Sequence, residues 1–480
     1  MNPENLQQPP TAGHQLADQI ARDIAEAELS PGAVMDSLEA LSKRYRTGHP
    51  VLMQALRILE SRGVAKVRRG VNGGLVVKER SPGFASRGLS ILIEHDMRDM
   101  MEIGVLPVSI DHQLYLEEVP SLSLEACNEL LQLAHRLDRL NDDEFMRLGA
   151  HRQLFNAIRL VSAEPTLNLA QLTSFECAVD MIPYSVAVLG ESKAHPSWQL
   201  SLAVVEAIVG ADIGRLFEYL PRQINFFKES WDTWEEINRT PILNPKMGDL
   251  SRPEFKESTS RADRLTREIL REVRHHNWEY GARIGSGVEL MERYQTSPNI
   301  LRQAVLMLQD HGVVTATKGR SGGIVITEPN REATILEAQS YLKYAGATTT
   351  RMTRFLQNLV LQAFDGFPQT SPQRLARNAI AAREYLKYCD ATGAPIDYWR
   401  FTELVCQNPV LSIMQAVILP LLTDTESEYF PTKKNKGPCR NSAGYWQFIN
   451  AIDTCNLAGA RRLLRQLANN NLDSKGPGAT

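Results

Sequence analysis

The feature that most constrains this chain of 480 residues is an internal repeat. Residues 43–77 align without a gap with residues 292–326, at a constant offset of 249. Upstream, ADQIARDI at 17–24 matches ADRLTREI at 262–269. Identical pairs include Arg44 and Arg293, Tyr45 and Tyr294, Gln54 and Gln303, Gly63 and Gly312, and Gly70, Gly73 and Gly74 with Gly319, Gly322 and Gly323. Such a repeat predicts one structural unit that is built twice.

The repeat also predicts the domain organisation. Each half holds about 245 residues, and the polar, proline-containing residues 240–260 separate the halves as a linker. Within each half the pattern changes after about 70 residues. We therefore expect two small domains at 14–80 and 261–328, followed by two helical domains at 86–238 and 331–474.

Each small domain reads as three helices followed by a β-hairpin. In the first copy we expect helices over about Leu38–Tyr45 and Pro50–Arg62, and strands at 64–67 and 75–77. This order of elements is typical of the winged helix-turn-helix, whose third helix enters the DNA major groove. Gly73, Gly74, Gly322 and Gly323 are expected at the hairpin turns, where a positive φ favours glycine. The predicted buried positions are Leu41, Val51, Ala55, Leu56 and Leu59 in the first copy, and Leu290, Ile300, Ala304, Val305 and Leu308 in the second.

The rest of each half is predicted to be all-helical, because apolar residues recur there at three- and four-residue spacing. The expected helical segments are 124–137, 145–161, 198–209, 333–345, 374–388 and 448–467. The fold class is thus mainly α.

These residues resemble the GntR family of bacterial transcription regulators. In the first copy Pro31-Gly32, Ser37, Leu41, Tyr45 and Gln54-Ala55-Leu56 match its signature, and in the second Gly281, Ser286, Leu290, Tyr294 and Arg302-Gln303-Ala304 match it. The helical remainder resembles the FadR-type (FCD) ligand-sensing and dimerisation domain of that family. The resemblance implies a transcription regulator, most often a repressor, that binds a double-stranded DNA operator.

The two copies depart differently from the family pattern. An arginine that contacts DNA in the family is replaced by His49 and Pro298, and the recognition-helix arginine is Met53 in the first copy but Arg302 in the second. Base recognition depends on side chains such as Arg, Asn and Gln. The candidate DNA-contacting residues are Arg44, Arg46, His49, Arg57, Arg68 and Arg69 in the first copy, and Ser297, Asn299, Arg302, Gln303, Lys318 and Arg320 in the second. Gly70, Gly73, Gly74, Gly319, Gly322 and Gly323 are the candidate hairpin-turn residues.

Local charge differs between the copies as well. Basic residues exceed acidic ones by eight in residues 43–80, but only by one in residues 292–328. Contacts to phosphate supply affinity without sequence information. We therefore expect the first copy to hold the DNA backbone and the second to read the bases.

The sequence does not decide whether the helical domains bind a ligand. The metal-binding positions of FadR-type domains fall on His151, Phe155, Pro395 and Trp399, which are not a set of metal donors, so no metal or other cofactor is expected. Tyr398, Trp399 and Phe401 line a space for a small organic effector, or they are core residues of a scaffold that binds none. Both alternatives remain, as do an intramolecular pseudo-dimer and a homodimer.

Composition and short motifs exclude several classes of protein. The net charge of −3 excludes a uniformly basic DNA-packaging protein. The sequence has no P-loop and no G-x-G-x-x-G motif, so no enzyme is indicated. The six cysteines form no C-x-x-C pair, and neither a signal peptide nor a membrane span is recognisable. We expect a cytoplasmic regulator; the alternative is a cytoplasmic effector-binding or interaction protein that descends from such a regulator and has lost DNA binding.

Overall fold

The computed structural model describes residues 12–27, 29–68, 70, 73–78, 82–97, 100–139, 154, 157–158, 162, 164–178, 197–222, 261–317, 322–365, 372–424 and 442–473. The predicted linker 240–260 and most of the predicted helix at 145–161 lie outside these residues. The chain folds into two compact units, and each unit is made of two stretches of sequence. Unit 1 comprises Met1–Gly88 and Pro245–Glu337, and unit 2 comprises Leu89–Asn244 and Ala338–Thr480.

The elements follow one another in chain order. The first half has α1 (Ala12–Glu26), α2 (Leu38–Arg44), α3 (His49–Ser61), β1 (Ala65–Arg68), β2 (Gly74–Val77), α4 (Gly83–Asp96), α5 (Val105–Gln113), α6 (Leu124–Arg139), α7 (Pro165–Ala178), α8 (Ser197–Val209) and α9 (213–222). The second has α10 (Arg261–His275), β3 (Arg283–Gly285), α11 (Gly287–Arg293), α12 (Pro298–Asp310), β4 (Val314–Thr317), β5 (Gly323–Ile326), α13 (Arg331–Tyr344), α14 (Thr349–Asp365), α15 (Pro372–Thr392), α16 (Tyr398–Cys406), α17 (Pro409–Asp424), α18 (Ser442–Asp453) and α19 (Leu457–Asp473).

The N-terminal part of unit 1, residues 12–78, is a winged helix-turn-helix and is called the first repeat below. Its two strands pair antiparallel, with Ala65 opposite Val77 and Arg68 opposite Gly74, and they form the wing. Leu41, Ala55, Leu56 and Leu59 are buried as predicted. The list of buried positions was wrong at one place: Val51 is only half-buried and its neighbour Leu52 is buried. In the first turn of α3, Leu52 is the residue on the face that packs against α1.

Residues 261–327, called the second repeat below, show the same succession of elements. Ser286 and Glu289 form a capping box at the start of α11, which satisfies backbone N–H groups at that helix end. Strand β5 lies between β3 and β4, and Val325 pairs with Arg283. The first repeat has an isolated bridge at the equivalent place. Here too the predicted buried residue Ile300 is half-buried, and Leu301 is buried instead.

Several backbone details recur between the repeats at the offset of 249. Gly32 and Gly281 both have positive φ, at 88° and 85°, and both donate to the last residue of the final strand. Arg46 and Gln295 take left-handed conformations, at 49° and 46°, in the turn that precedes the third helix. Gly63 and Gly312 do the same after that helix, at 71° and 75°. Positive φ at these positions lets the chain turn tightly between elements.

The described residues of unit 2 form helices joined by turns and loops, and no strand occurs among them. Helix α5 packs on α14, and the side-chain amide of Asn358 donates to the carbonyl oxygen of Ser109 at 2.8 Å. Arg351 bonds to Glu117 at 2.6 Å and also to Glu118. Helical segments from the two halves of the sequence are therefore packed together in this unit.

The predicted helix at 448–467 was wrong in one respect, because two helices cover this stretch. Helix α18 ends at Asp453 and α19 begins at Leu457. Between them Cys455 has a φ of 54°, and the side chain of Asn456 accepts a bond from the N–H of Gly459 at 2.9 Å. Asparagine competes well for backbone groups at the start of a helix, so an amphipathic pattern that continues across it still breaks into two helices.

Two further features of the described residues bear on the sequence predictions. Among the described residues, Cys127, Cys177, Cys389, Cys406 and Cys455 are thiols that take part in no disulfide. Within the part of the chain that the structure describes, no helix is long and apolar enough to cross a membrane.

Candidate nucleic-acid interface

The turn between α2 and α3 determines which end of α3 is exposed on the surface of the first repeat. Ser37 caps α2 by accepting from the N–H of Ala40 at 3.2 Å. After α2 the chain turns through Arg46, and the hydroxyl of Ser42 donates to the carbonyl oxygen of Thr47 at 2.7 Å. Helix α3 then begins at His49, with Pro50 in its first turn, where a missing N–H costs nothing. The N-terminal end of α3 is thereby presented to solvent.

The predicted DNA-contacting residues of the first repeat lie on this surface. Arg46, His49 and Arg57 are exposed, and Arg68 is exposed at the end of β1. Arg44 is half-exposed and pairs with Asp36 at 3.2 Å. Arg69 lies outside the described residues.

Fewer basic side chains of the first repeat are exposed without a carboxylate partner than the count of residues 43–80 suggests. Arg62 does not face solvent: its guanidinium pairs with Asp18 at 2.5 Å and with Asp310 at 2.7 Å. Lys43 pairs with Glu39 at 2.8 Å one helical turn away. A count from the sequence includes these cations, but in the folded chain carboxylates form ion pairs with them.

The predicted residues of the second repeat surround the start of α12. Ser297 is the N-cap of this helix, and its hydroxyl oxygen accepts from the N–H of Ile300 at 3.4 Å. Asn299, Arg302 and Gln303 are exposed. Lys318, Gly319 and Arg320 lie outside the described residues.

The exposed side chains of α12 do not share one face. Arg302 lines a groove together with Leu301 and Val305, whereas Asn299 and Gln303 do not. At about 100° per residue, Asn299 and Gln303 lie roughly 60–100° around the helix from Arg302. The candidate base-reading residues are thus divided between two adjacent faces.

The glycines of the wing serve a different purpose from the predicted one. Gly73, Gly74, Gly322 and Gly323 do not have positive φ; of the described turn glycines only Gly70 does, at 113°. A Cβ on Gly74 would fall against the carbonyl oxygen of Asp36, well inside van der Waals contact. The expectation of positive φ was wrong at these four positions, and for Gly74 the physical reason is close approach of two backbone segments.

Gly74→Ala is therefore expected to destabilise unit 1 by about 1–3 kcal/mol, because backbone atoms cannot move aside as a flexible side chain does. The measurement is the urea midpoint of the full chain. Gly287→Ala is the matched control, since a Cβ there meets nothing within 4 Å. Equal midpoints for the two variants would contradict this account.

The two repeats pack on each other inside unit 1. Arg62 and Asp310 form an ion pair between them. Helix α4, which follows the first repeat, also packs on the second repeat, and its Arg87 pairs with Asp263 at 3.0 Å. The ring of His311 stacks on Phe84 with centroids 4.4 Å apart. Burial lowers the pKa of His311 to about 3, and the neighbouring guanidinium groups of Arg87 and Arg62 act in the same direction.

The lowered pKa of His311 predicts how the stability of the folded chain changes with pH. In the unfolded chain His311 takes up a proton below about pH 6.5, whereas in the folded chain it stays neutral to about pH 3. Stability is then unaffected above about pH 7 and falls as the pH drops from about 6.5 towards 3. Between pH 7 and pH 5 the loss from this group is expected to be about 2 kcal/mol.

Urea unfolding at the two pH values, compared between the natural chain and His311→Phe, measures that loss. Phenylalanine keeps the ring stacked on Phe84 but cannot take up a proton. His14, whose pKa burial also lowers, contributes to the loss in both proteins. An unchanged loss in the variant would show that His311 is not responsible.

Comparison with known proteins bears on the first repeat. Bacterial regulatory proteins of the gntR family match residues 12–74. The first repeat is a GntR-type helix-turn-helix domain. Proteins with this domain bind DNA as transcription regulators, and nothing in the described residues indicates catalysis.

Two solved structures are similar to parts of the chain. A Streptococcus agalactiae GntR protein shares 16% identity over 43% of this chain and 94% of its own, with a TM-score of 0.26. A Listeria monocytogenes structure, described as Lar controlling expression of the agr system, shares 16% identity over 48% of this chain and 99% of its own, with a TM-score of 0.22. No curated protein sequence matches the chain.

Sequence reasoning missed the contacts that join the GntR-type domain to the second repeat. Asp310 occupies the position of Ser61, and His311 that of Arg62, so the copies differ where they meet. The available signal was an acidic residue, Asp310, in the second copy and a basic residue, Arg62, one position further along in the first copy. Its use required knowing that the two helix ends meet.

The aromatic residues considered for an effector site are core residues. Tyr398, Trp399 and Phe401 are buried, and Phe401 packs edge-on against Tyr445 with centroids 4.8 Å apart. Burial raises the pKa of Tyr398, whose hydroxyl has no hydrogen-bond partner within the described parts of the chain. His151 and Phe155 lie outside the described residues.

Proposed function

We propose that this chain is a sequence-specific transcriptional repressor of the GntR type that binds its operator through two unequal winged helices. The observation that carries the proposal is the GntR-type domain at residues 12–74. Arg46 is exposed in the turn before its third helix, Arg57 on that helix and Arg68 on the wing, and these are the cations that contacts to phosphate require.

The second repeat is proposed to be a second winged helix-turn-helix from the same duplication. Tyr45 donates to Asp23 at 2.5 Å and, 249 residues later, Tyr294 donates to Glu272. The sequence match of residues 17–24 with 262–269 instead sets Glu268 opposite Asp23. The repeated tyrosine–carboxylate bond joins the same two helices in both copies. Recurrence of a tertiary hydrogen bond, in addition to sequence identity, supports a common fold.

The helical segments of unit 2 are proposed to be two FadR-type domains that hold the winged helices as an intramolecular pseudo-dimer. The contact between Asn358 and Ser109 joins segments from the two halves. Single-copy regulators need two chains to present two recognition helices. One chain with two repeats meets that need by itself.

The two winged helices are proposed to have different roles in DNA binding. Asn299, Arg302 and Gln303 carry the side chains that can form bidentate bonds to base edges. The first repeat carries exposed arginines but has Met53 where Arg302 stands in the second. The second repeat therefore selects the sequence, and the first supplies affinity for the backbone.

Fluorescence anisotropy of the full chain tests this function. The chain is titrated against its own upstream DNA and against unrelated DNA over a series of salt concentrations. A preference for one fragment that persists at physiological salt supports a sequence-specific regulator. Weak binding that is equal on both fragments and vanishes with salt would instead favour an interaction protein that has lost DNA recognition.

A further inference from the structure

Unit 1 contains a groove of about 740 Å³ between the two repeats. Helices α11 and α12 and strands β4 and β5 of the second repeat form most of it, and α3 of the first repeat contributes Gln54 and Arg57. The volume is within the range of about 300–1,000 Å³ that is usual for small-molecule sites. It is an intramolecular groove, so a single chain provides the whole site.

The groove has mainly apolar walls. Met291, Leu301, Val305 and Leu306 contribute side chains from the helices, and Ile324 contributes one from β5. A DNA backbone needs hydrogen-bond donors along its path rather than aliphatic groups. These walls suit a ligand with a hydrophobic body.

The charge of the groove has one sign. Arg57 and Arg302 both line it and are exposed, and the described residues of its lining include no Asp or Glu. Within the described parts of the chain, neither guanidinium pairs with a carboxylate. Two unpaired guanidinium groups beside an apolar surface favour an anion, and guanidinium binds carboxylate, sulfonate or phosphate oxygens in a bidentate manner.

We propose that this groove binds an amphipathic organic anion, with the hydrophobic body on Met291 and Ile324 and the charged group between Arg57 and Arg302. Ligand and operator then compete for Arg302, so the ligand releases the DNA. The binding site stands on the groove alone, whereas the competition rests on the proposed function.

The first test uses two probes that share one hydrophobic body. 1-Anilinonaphthalene-8-sulfonate carries a sulfonate, and N-phenyl-1-naphthylamine is its uncharged counterpart. Fluorescence titration of the full chain without DNA is expected to show one site that binds the sulfonate at least tenfold more tightly. Equal affinity for the two probes would overturn the proposal.

Variants then locate the site. Arg57→Ala combined with Arg302→Ala is expected to weaken sulfonate binding at least tenfold and to leave binding of the uncharged probe unchanged. Ala316→Trp, at an exposed position of β4 that lines the groove, is expected to fill it and abolish binding of both probes. The matched control is Thr315→Trp, on the opposite face of the same strand. Binding that survives Ala316→Trp, or that is lost equally in the control, places the probe elsewhere and overturns the assignment.

Competition is measured last, by adding the sulfonate to the chain bound to its upstream DNA. Release of DNA from the natural chain but not from Ala316→Trp supports both steps. If the probe binds in the groove and the chain binds no DNA at all, the proposed ligand site is supported and the proposed function as a DNA-binding regulator is wrong. If DNA stays bound at saturating probe, the competition is wrong.

Discussion

Arg302→Ala is expected to reduce the preference of the chain for its operator over unrelated DNA by about 5- to 150-fold. A bidentate arginine–guanine contact discriminates against the wrong base by roughly 1–3 kcal/mol, and alanine removes both donors. Binding to unrelated DNA should change far less, because it depends on phosphate contacts. The measurement is the ratio of the two dissociation constants from anisotropy at one fixed salt concentration.

Arg68→Ala provides the contrast to this variant. As a proposed phosphate contact on the wing, Arg68 should weaken binding to both DNAs alike and reduce the salt dependence by about one unit of slope. Arg377→Ala, an exposed arginine of α15 in unit 2, is the matched control and should change neither quantity. A uniform loss for Arg302→Ala, with the preference intact, would mean that the second repeat does not read sequence.

Asp310→Ala is expected to destabilise unit 1 by about 3 kcal/mol. The Asp310 side chain is only 1% exposed and the Arg62 side chain 13%, so its loss leaves a buried guanidinium with Asp18 as the remaining carboxylate. Removing one partner of a buried pair costs roughly 3–5 kcal/mol for this reason. The urea midpoint of the full chain reports the loss, and faster amide exchange in α3 and α12 shows where it occurs.

Two controls separate this pair from surface charge in general. Lys43→Ala breaks a pair whose side chains are 77% and 80% exposed, and it should cost less than about 0.5 kcal/mol. Arg62→Met combined with Asp310→Leu removes both charges and should restore most of the stability. A small effect for Asp310→Ala alone would mean that water reaches Arg62 and that the contact between the repeats is weaker than its geometry indicates.

The local architecture of each repeat was predictable because nearby residues determine it. Ser37 and Ser297 cap their helices through bonds to residues three positions away, and Pro50 and Pro298 stand where a helix tolerates proline. The predicted ends of α2 and α3 agree with the structure to within one residue. Only finer points failed, such as Leu52 in place of Val51, because the pattern of apolar residues leaves two neighbours as candidates for one face.

The candidate site shows where such inference stops. Exposure of Arg57, Asn299 and Gln303 follows from their places on the helices, and that of Arg46 from its place in the turn before α3. The groove that takes in both Arg57 and Arg302 does not follow, because it needs two helices separated by some 240 residues of sequence to lie side by side.

The sequence by itself determined the repeat, the helix-turn-helix elements and the types of residue at the candidate DNA-contacting positions, since these depend on identity and on spacing over a few positions. Only the tertiary structure decided that Arg62 forms an ion pair with Asp310, 248 residues away, instead of facing solvent. The physical reason is that the free energy of a charge depends on its burial and on the charges beside it. Both are set by which surfaces pack together, and periodicity along the chain carries no information about that choice.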